Sequence, residues 1–201
     1  MQTILSEALD AKQAYKLLTG VIVPRPIAWV STISAQGTTN LAPFSYFTSV
    51  SNKPPMVGIN IGQEYGGRKD TARNILETEE FVVNIAGWQQ LEDLHASADH
   101  HPPETSEIEL LGLKTEASTH IKAPRIVDAP VQMECRFRQM IPFGTGGSEF
   151  YVGEVLAFHF RDDVIDRETL RVNSVAIEPI CRLGGPFYAA LGEIAKMRSR
   201  S

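Results

Sequence analysis

The sequence predicts a mainly β protein, an antiparallel β-barrel with peripheral helices. Six or more segments rich in β-branched and aromatic residues are separated by short turns, and 15 glycines and 12 prolines among 201 residues favour such turns. A parallel α/β sheet needs a helix after most strands, and those helices are missing from the pattern. The even strand spacing favours a closed or nearly closed barrel, which also removes exposed sheet edges.

The N-terminal segment predicts a helix at residues 10–19. Asp10 and Gln13 have the spacing of a capping box, and Gly20 is a typical C-terminal stop signal. We expect this helix to have one apolar face, made of Ala14, Leu17 and Leu18.

Three extended segments follow, at 21–33, 40–50 and 55–61. The first is rich in Val, Ile and Trp, and the second is interrupted by Pro43. The third alternates in polarity, which places its apolar residues on one face, namely Val57, Ile59 and Ile61.

The middle of the chain predicts two short helices, at 71–77 and 89–98, on either side of a strand at 81–85. The second helix has apolar residues along one side, namely Leu91, Leu94 and Ala98. Residues 99–110 are polar and include two consecutive prolines, so we expect a loop there.

A long β-hairpin is expected between residues 131 and 160. Its first strand, 131–137, alternates apolar and polar side chains, and the GTGGS segment at 144–148 is typical of a turn. We expect the second strand to have one apolar face, interrupted by Glu154 and made of Phe150, Val152, Leu156, Phe158 and Phe160.

The composition predicts one domain over residues 1–201 and excludes several classes of function. The formal net charge of −5 argues against binding nucleic acid through overall charge. No apolar run approaches the ~20 residues of a membrane span, and the first residues do not resemble a signal peptide. Cys135 and Cys181 alone form neither a disulfide framework nor a zinc site, so a cytoplasmic location is the default. We expect a flexible tail at 196–201.

The segment GGRKDTARN, residues 66–74, is the most informative candidate site. Asp70 and Thr71 begin the helix predicted there, and a helix start offers free backbone N–H groups and the positive end of the helix dipole. Together with Arg68, Lys69 and the Thr71 hydroxyl, this start predicts a phosphate site. The alternative is that Asp70 only caps the helix and that the basic residues are solvated, since capped helix starts are common.

Two strand segments, RPIAWVSTIS (25–34) and NLAPFSYFTSV (40–50), interleave hydroxyl and apolar side chains. Such a pattern can line a polar ligand, and a strand broken at Pro43 leaves backbone groups free to bind one. The alternative, which the residues alone favour slightly, is a bulge at a barrel corner with satisfied hydroxyl groups. The sequence contains no dinucleotide-binding glycine motif, Walker-type loop or nucleophile elbow.

Taken together, these segments resemble the flavin reductase-like family, in particular its FMN-binding, flavoredoxin-type members. The similarity covers residues 20–190 and rests on RPIAWVSTIS, Gly37, NLAPFSYF, KDTARNILETEEFVVNI (69–85), APRIVDAPVQMEC (123–135) and VGEV (152–155). The NLAPFSYF and KDT segments are specific in combination. The resemblance implies an FMN-binding split barrel of antiparallel Greek-key type, which works as a homodimer with the flavin near the subunit interface.

The resemblance also implies which residues bind FMN. Four of them line the flavin from the first strand, four pass close to the isoalloxazine edge, and four lie beside the ribityl phosphate. In that order they are Trp29, Val30, Ser31 and Thr32, then Ala42, Pro43, Phe44 and Ser45, then Arg68, Lys69, Asp70 and Thr71, with Ser49 a weaker candidate for the polar tail. A backbone N–H near Phe44 and Ser45 is the candidate donor toward flavin N5 and O4, and no side-chain acid or base is required.

The activity implied is reduction of bound flavin by NAD(P)H, followed by electron transfer to an acceptor. Many nicotinamide-using members carry Gly-Asp-His in the hairpin before the Gly-Glu-Val strand, where this chain has Gly147-Ser148-Glu149. His159 on that strand is a weak substitute, because a lone strand histidine is usually structural. Two alternatives stay open: a non-enzymatic FMN electron carrier reduced by a partner protein, and a barrel that binds another phosphorylated ring compound such as pyridoxal phosphate.

A group of titratable residues lies at 95–104, and it comprises His95, Asp99, His100, His101 and Glu104. Their spacing matches no zinc pattern, so we expect no metal, and a loop of this length is more typical of a lid or dimer arm beside the flavin. Cys135 lies on the apolar side of its strand, which indicates a buried structural thiol. For Arg182 and Tyr188 we expect packing and not cofactor contact.

Overall fold

A seven-stranded antiparallel sheet forms the centre of the computed structural model, which describes residues 1–64 and 67–198. The helices are α1 (Ala11–Val21), α2 (Asp70–Thr78), α3 (Leu91–Ala96), α4 (Glu107–Leu110) and α5 (Ser174–Ile177), with 3-10 turns at Ser6–Ala8, Trp88–Gln90 and Asp162–Val164. The strands are β1 (Arg25–Pro26), β2 (Ala28–Ile33), β3 (Thr39–Phe44), β4 (Phe47–Asn52), β5 (Pro55–Ile61), β6 (Gln63–Glu64), β7 (Gly67–Arg68), β8 (Glu80–Ile85), β9 (Thr115–Glu116), β10 (Arg125–Ile126), β11 (Val131–Phe143), β12 (Ser148–Phe160), β13 (Ile165–Asp166), β14 (Arg171–Val172), β15 (Cys181–Arg182) and β16 (Tyr188–Ala189).

The main sheet has the strand order β3-β2-β8-β11-β12-β5-β4, and each of its pairings is antiparallel. Its two edge strands, β3 and β4, are consecutive in the chain and are joined only by Ser45 and Tyr46. The sheet therefore curls until its edges approach each other. The strand order contains no ladder between β3 and β4 within the described residues, so the barrel is split along this seam. The predicted antiparallel split barrel is confirmed.

Two apolar clusters flank strand β2 and fix its position. One includes Val30, Ile59, Phe81 and Tyr151, and helix α2 contributes Ile75 to it. The other lies on the opposite face of β2, and it includes Trp29, Leu41, Leu94, Ile108 and Ile126. Because β2 is covered on both faces, its residues from Ala28 to Thr32 are all buried, and most of them are apolar.

Several local predictions are confirmed. The capping box of α1 is present, with Gln13 N donating to Asp10 Oδ1 at 2.7 Å and Asp10 N donating to Gln13 Oε1 at 3.0 Å. Strand β5 points Val57, Ile59 and Ile61 into the first cluster. Cys135 is fully buried, and Arg182 stacks on the Tyr188 ring at 4.4 Å, which is the expected packing role.

The predicted apolar face of β12 is wrong. Tyr151 and Val155 face the core, whereas Phe150 packs on the other side over Gly58, and Phe158 is 49% exposed. Apolar residues occur at both odd- and even-numbered positions of this strand, so the alternation of side chains does not show which face is buried. Gly153 decides the choice in the folded chain, because a Cβ there would overlap the Phe81 ring.

Other boundaries also differ from the prediction. Helix α1 continues through Gly20, so the extended segment predicted at 21–33 begins with one helical residue and then forms the two strands β1 and β2. The extended segment predicted at 40–50 is divided between β3 and β4. The 89–98 helix is a 3-10 turn plus the shorter α3, with Ala98 exposed, and the 99–110 loop contains α4. The expected apolar face of α1 remains open, with Leu17 and Leu18 at 39% and 50% exposure. Residues 196–198 have no regular structure, and 199–201 lie outside the described residues.

None of the described helices is long and apolar enough to cross a membrane, since the longest, α1, has eleven residues.

Candidate functional site

The two sequence segments that carry the resemblance meet at the start of helix α2. Asn40 Nδ2 on β3 donates a hydrogen bond of 2.9 Å to Thr71 Oγ1 on α2. Lys69, Asp70 and Thr71 line a small cavity of about 50 Å³ together with Ala42. The segment 97–101 and Glu107 form its opposite wall. We call this space the α2 cavity.

The start of α2 is not capped by a side chain. Lys69 occupies the N-cap position with extended backbone, and it makes no capping hydrogen bond. Asp70 is the first helical residue, so the alternative in which Asp70 caps this helix is wrong. The first N–H groups of a helix have no partner within the helix, so this end can receive an anionic or oxygen-bearing group. Gly66, part of the same motif, lies outside the described residues.

Each basic side chain near this helix start is already paired with a carboxylate. Lys69 Nζ lies 3.4 Å from Glu64 Oε2, with the two side chains 38% and 35% exposed. Arg73 pairs with Asp70 one turn earlier on the same helix. A ligand phosphate at this helix start therefore competes with Glu64 for Lys69.

Arg68 is held by the long hairpin. Its Nε and Nη2 donate to both carboxylate oxygens of Glu149 at 2.8–3.2 Å, and Glu149 also accepts from Tyr151 Oη at 2.5 Å. The Arg68 hydrogen bonds lower the pKa of Glu149, while burial raises that of Tyr151. Glu149 stands in the hairpin where many nicotinamide-using members of the resembled family carry a histidine, and its carboxylate is engaged with Arg68 and Tyr151.

An apolar groove lies on the other side of the β3–β4 connection. It measures about 720 Å³ and runs between α1 and the strands β4, β5 and β12. Ser45 lines this groove, with aromatic neighbours Tyr15, Tyr46, Phe47 and Phe150. We call it the α1 groove.

Arg25 fixes one wall of the α1 groove. Its guanidinium is buried and donates to Thr19 O at 2.7 Å and Ile22 O at 2.6 Å, which are carbonyls at the C-terminal end of α1. The Arg25 Nε also donates to Ser45 Oγ at 3.4 Å, so helix α1 and the β3–β4 connection are tied to one side chain.

The predicted residues of the first strand are not brought to an open surface. Trp29, Val30, Ser31 and Thr32 are each 0% exposed. Trp29 Nε1 donates to Ser97 Oγ at 2.8 Å, and Thr32 Oγ1 accepts from Asn74 Nδ2 at 3.0 Å. Trp29 thus contacts Ser97, which lines the α2 cavity, but none of these four residues lines the cavity itself.

The remaining predicted residues are spread along the β3–β4 seam. Phe44 is buried in the core, Pro43 is half-buried, and Ser49 is exposed on the edge strand β4. Leu41 N points away from β2 and donates to Glu107 Oε2 at 3.0 Å. Pro43 lies two residues further along and faces the same open edge, so its missing N–H removes no hydrogen bond from the sheet. This explains how a proline is tolerated in β3.

The histidine-rich segment lies against the α2 cavity. His100 and His101 line this cavity, and Glu107 and Ser106 anchor the segment to β3, the latter by a 2.7 Å contact between Ser106 Oγ and Thr39 Oγ1. The described residues contain no group of three His, Cys, Asp or Glu side chains placed to hold a metal ion. His159 lies at the far end of β12, bonded to Glu134 at 2.7 Å, and cannot replace the missing hairpin histidine.

Sequence reasoning missed several residues that shape the site. Asn40 is the first residue of the NLAPFSYF segment, but it was not among the predicted site residues. A polar side chain at the start of this segment was a usable signal. Glu149 gave no signal, because its partner Arg68 is 81 residues away in the chain. Glu64 and Tyr151 lie close in sequence to Lys69 and Glu149, but no motif marked either residue.

Comparison with known proteins agrees with this geometry. The model of the flavin reductase like domain matches residues 21–174. A protein of Aquifex aeolicus is 40% identical over 195 residues, covering 96% of this chain and 97% of its own. The crystal structure of nitrilotriacetate monooxygenase component B from Bacillus cereus is 36% identical, with a TM-score of 0.94 and 98% of both chains covered. A putative flavin reductase with a split barrel domain from Shewanella frigidimarina shares the fold, with a TM-score of 0.84 at 20% identity and 96% of both chains covered. The chain therefore belongs to the flavin reductase-like family.

Proposed function

We propose that this chain is an FMN-binding oxidoreductase, in which NAD(P)H reduces the bound flavin and the electrons pass on to an acceptor. One observation carries the proposal: the hydrogen bond between Asn40 and Thr71 joins the NLAPFSYF and KDT segments around one cavity. Neither segment alone specifies a ligand. Together they place an uncapped helix start beside an open strand edge.

The residues present suit a ligand with a phosphate at one end and a flat ring at the other. The α2 cavity alone is too small for such a molecule, but the α1 groove has the volume of ordinary ligand sites. Lys69, Thr71 and the first N–H groups of α2 would hold the phosphate. Residues 42–45 connect the two regions and would run along the ring, with aromatic side chains of the groove beyond them.

When bound, a flavin supplies two-electron uptake and delivery of electrons singly or in pairs. The protein needs only to orient the ring and to place donors where negative charge develops. The Ser45 backbone N–H fits that role. It follows the last ladder residue of the edge strand β3, and it continues the outward-facing side to which Leu41 N belongs. Arg25 keeps Ser45 in place through its bond to Ser45 Oγ.

A second candidate function is an FMN electron carrier that is reduced by a partner protein. Glu149 favours it, because this residue stands at the hairpin position expected for nicotinamide recognition and is committed to Arg68 and Tyr151. The neighbouring Ser148 Oγ is likewise bonded to Asn60 Oδ1 at 2.8 Å. The described hairpin therefore offers no imidazole at this place.

Anaerobic mixing with NADH and NADPH separates the two functions. The FMN-loaded protein is expected to lose its visible flavin absorbance with at least one of the two nucleotides. If neither nucleotide bleaches the flavin while dithionite does, the reductase function is wrong and the carrier function stands. Mass spectrometry of the ligand released from purified protein distinguishes both from a pyridoxal phosphate-type barrel.

We further propose a homodimer and a cytoplasmic location. The dimer is supported by the open face of α1, where Tyr15, Leu18 and Val21 are 61%, 50% and 73% exposed, since large exposed apolar patches mark interfaces. The location is supported by the two unpaired thiols of Cys135 and Cys181. Sedimentation of the native chain and of Tyr15→Glu tests the dimer. A native monomer at micromolar concentration contradicts it.

A further inference from the structure

A further cavity lies at the end of the long hairpin opposite the proposed FMN site. It measures about 410 Å³ and is lined by residues from the start of β11, the end of β12, the short strands β9, β10 and β13, and the segments that follow β10, β12 and β13. Strand β12 runs for 13 residues from Ser148, beside the α1 groove, to Phe160, in this cavity. At roughly 3.3 Å per residue the two ends are about 40 Å apart. We call this space the distal cavity; nothing about it depends on the proposed flavin chemistry.

The lining of the distal cavity is rich in positive charge. Three arginines, Arg125, Arg161 and Arg167, face it against a single lining carboxylate, that of Glu116. Arg161 and Arg167 lie at the rim, where they pair with aspartates whose side chains are 58% and 93% exposed. The exposed Arg167–Asp162 pair contributes little, so Arg167 can turn to an anion in the cavity at small cost. Arg161 donates to both carboxylate oxygens of Asp163 and to Ala176 O, so it must give up part of this set to meet an anion.

Arg125 differs from the two rim arginines because its side chain is nine-tenths buried. Its Nη2 donates to Ala117 O at 3.1 Å and pairs with Glu116, and its Nη1 contacts Gln132 Oε1 at 3.4 Å. Its Nε has no hydrogen-bond partner among the described residues. A buried donor left unpaired is destabilising, so this guanidinium has one N–H with unused hydrogen-bonding capacity.

The nearest internal carboxylate cannot use that capacity. Glu134 Oε1 lies 3.8 Å from Arg125 Nε, too far for a hydrogen bond. The same oxygen already accepts from Thr119 N at 2.8 Å, from Thr119 Oγ1 at 3.1 Å and from His159 Nε2 at 2.7 Å. With three donors on one oxygen, Glu134 is saturated and leaves Arg125 Nε enclosed without a hydrogen bond. Arg125 can meet a ligand through Nη1 and Nη2, whose partners Gln132 and Glu116 also line the cavity.

One wall of the distal cavity is aromatic. Phe158 and Phe160 stack with their ring centroids 6.2 Å apart and their planes at 11°. Phe158 is half-exposed, which is unusual for a phenylalanine in a strand, and Val127 beside it is 45% exposed. A ligand that covers this wall has a flat apolar body as well as a negative group.

We propose that the distal cavity binds a small carboxylate with a flat apolar body. The carboxylate pairs with the guanidinium groups of Arg125, Arg161 and Arg167, whose planar forks match its geometry. The apolar body lies against Phe158 and Phe160. The cavity volume falls within the range of small-molecule sites.

Titration of the full-length chain with benzoate, in excess FMN, tests this proposal by calorimetry. Benzamide serves as the matched neutral ligand. Benzoate is expected to bind saturably, and benzamide at least about tenfold more weakly, since it lacks the charge that the arginines recognise. The rim variants R161Q and R167Q are expected to weaken benzoate binding several-fold each, and R125Q more than either. R138Q, an exposed arginine paired with Glu154 on another part of the hairpin, is expected to leave it unchanged.

Five results overturn the proposal. Four come from the titrations: no saturable benzoate binding, equal binding of benzoate and benzamide, rim variants that bind like R138Q, and inorganic phosphate binding more tightly than benzoate. A benzoate-induced change in the flavin absorption spectrum also counts against it, because the ligand then occupies the flavin site. If R125Q fails to fold, the two rim variants still decide the outcome.

Discussion

Replacing Lys69 by alanine removes the one lysine at the uncapped start of α2. A charge-assisted hydrogen bond to a phosphate contributes about 1.5–3 kcal/mol. Lys69 must first leave Glu64, 3.4 Å away, and a surface pair of this kind is worth about 0.2–1 kcal/mol. The net loss on Lys69→Ala is therefore about 0.5–2.8 kcal/mol, which corresponds to a rise in the Kd for FMN of roughly 2- to 100-fold.

Glu64→Gln tests the same contact from the other side. Without its carboxylate partner Lys69 is free to turn to the phosphate, so FMN binding is expected to tighten by up to about fivefold. In a Lys69→Ala background the Glu64→Gln substitution is expected to have a smaller effect. The lysine it releases is gone, and only the repulsion between the Glu64 carboxylate and the phosphate is relieved. A double-mutant cycle over the four proteins gives this coupling directly.

The assay is quenching of flavin fluorescence on titration with FMN and, separately, with riboflavin. Riboflavin lacks the phosphate, so its affinity is expected to be the same in the native chain and in Lys69→Ala. Lys114→Ala, an exposed lysine far along the chain, is the matched control for loss of one charge. An unchanged FMN affinity in Lys69→Ala, or an equal loss for FMN and riboflavin, refutes the phosphate site at α2.

Two further predictions concern the strands that position the site. Gly58→Ala is expected to lower the free energy of unfolding in urea by about 1–3 kcal/mol, because the new Cβ would overlap the Phe150 ring. Gly62→Ala, whose Cβ would lie in open space, is the control and is expected to leave that free energy nearly unchanged. Equal effects of the two substitutions contradict the packing of Phe150 over Gly58. Glu149→Gln is expected to cost about 1 kcal/mol at neutral pH, since Arg68 is partly exposed. The pKa of Glu149 is lowered in the folded chain by its hydrogen bonds with Arg68. Its contribution to stability is therefore full above the unfolded pKa of about 4.3 and is lost as the pH falls through the folded pKa. A difference in unfolding free energy between the native chain and Glu149→Gln that grows on acidification contradicts this.

Local signals in the sequence were sufficient for much of the fold. The capping box of Asp10 and Gln13 and the alternation in β5 depend only on neighbouring residues, and both appear as predicted. The face of β12 could not be predicted in this way. Both of its faces carry large apolar residues, and the choice depends on Gly58 and Gly153, which make room for rings from other strands.

The candidate site was predictable in its motifs but not in its charge balance. The KDT segment does begin a helix, and Thr71 does meet the NLAPFSYF strand. Trp29 is buried by the second apolar cluster, and Thr32 accepts a hydrogen bond from Asn74. These partners lie outside β2, so the sequence of that strand alone does not predict the burial. The pairing of Arg68 with Glu149 spans 81 residues and depends on strand register, which sequence periodicity does not fix.

FMN binding is tested most directly by the ligand that the purified protein carries. We expect a flavin absorption spectrum, release of FMN on denaturation identified by mass spectrometry, and reconstitution of the stripped protein with one FMN per chain. Release of a different phosphorylated ring compound, or failure of the stripped protein to bind FMN at micromolar concentration, contradicts the proposal at its centre.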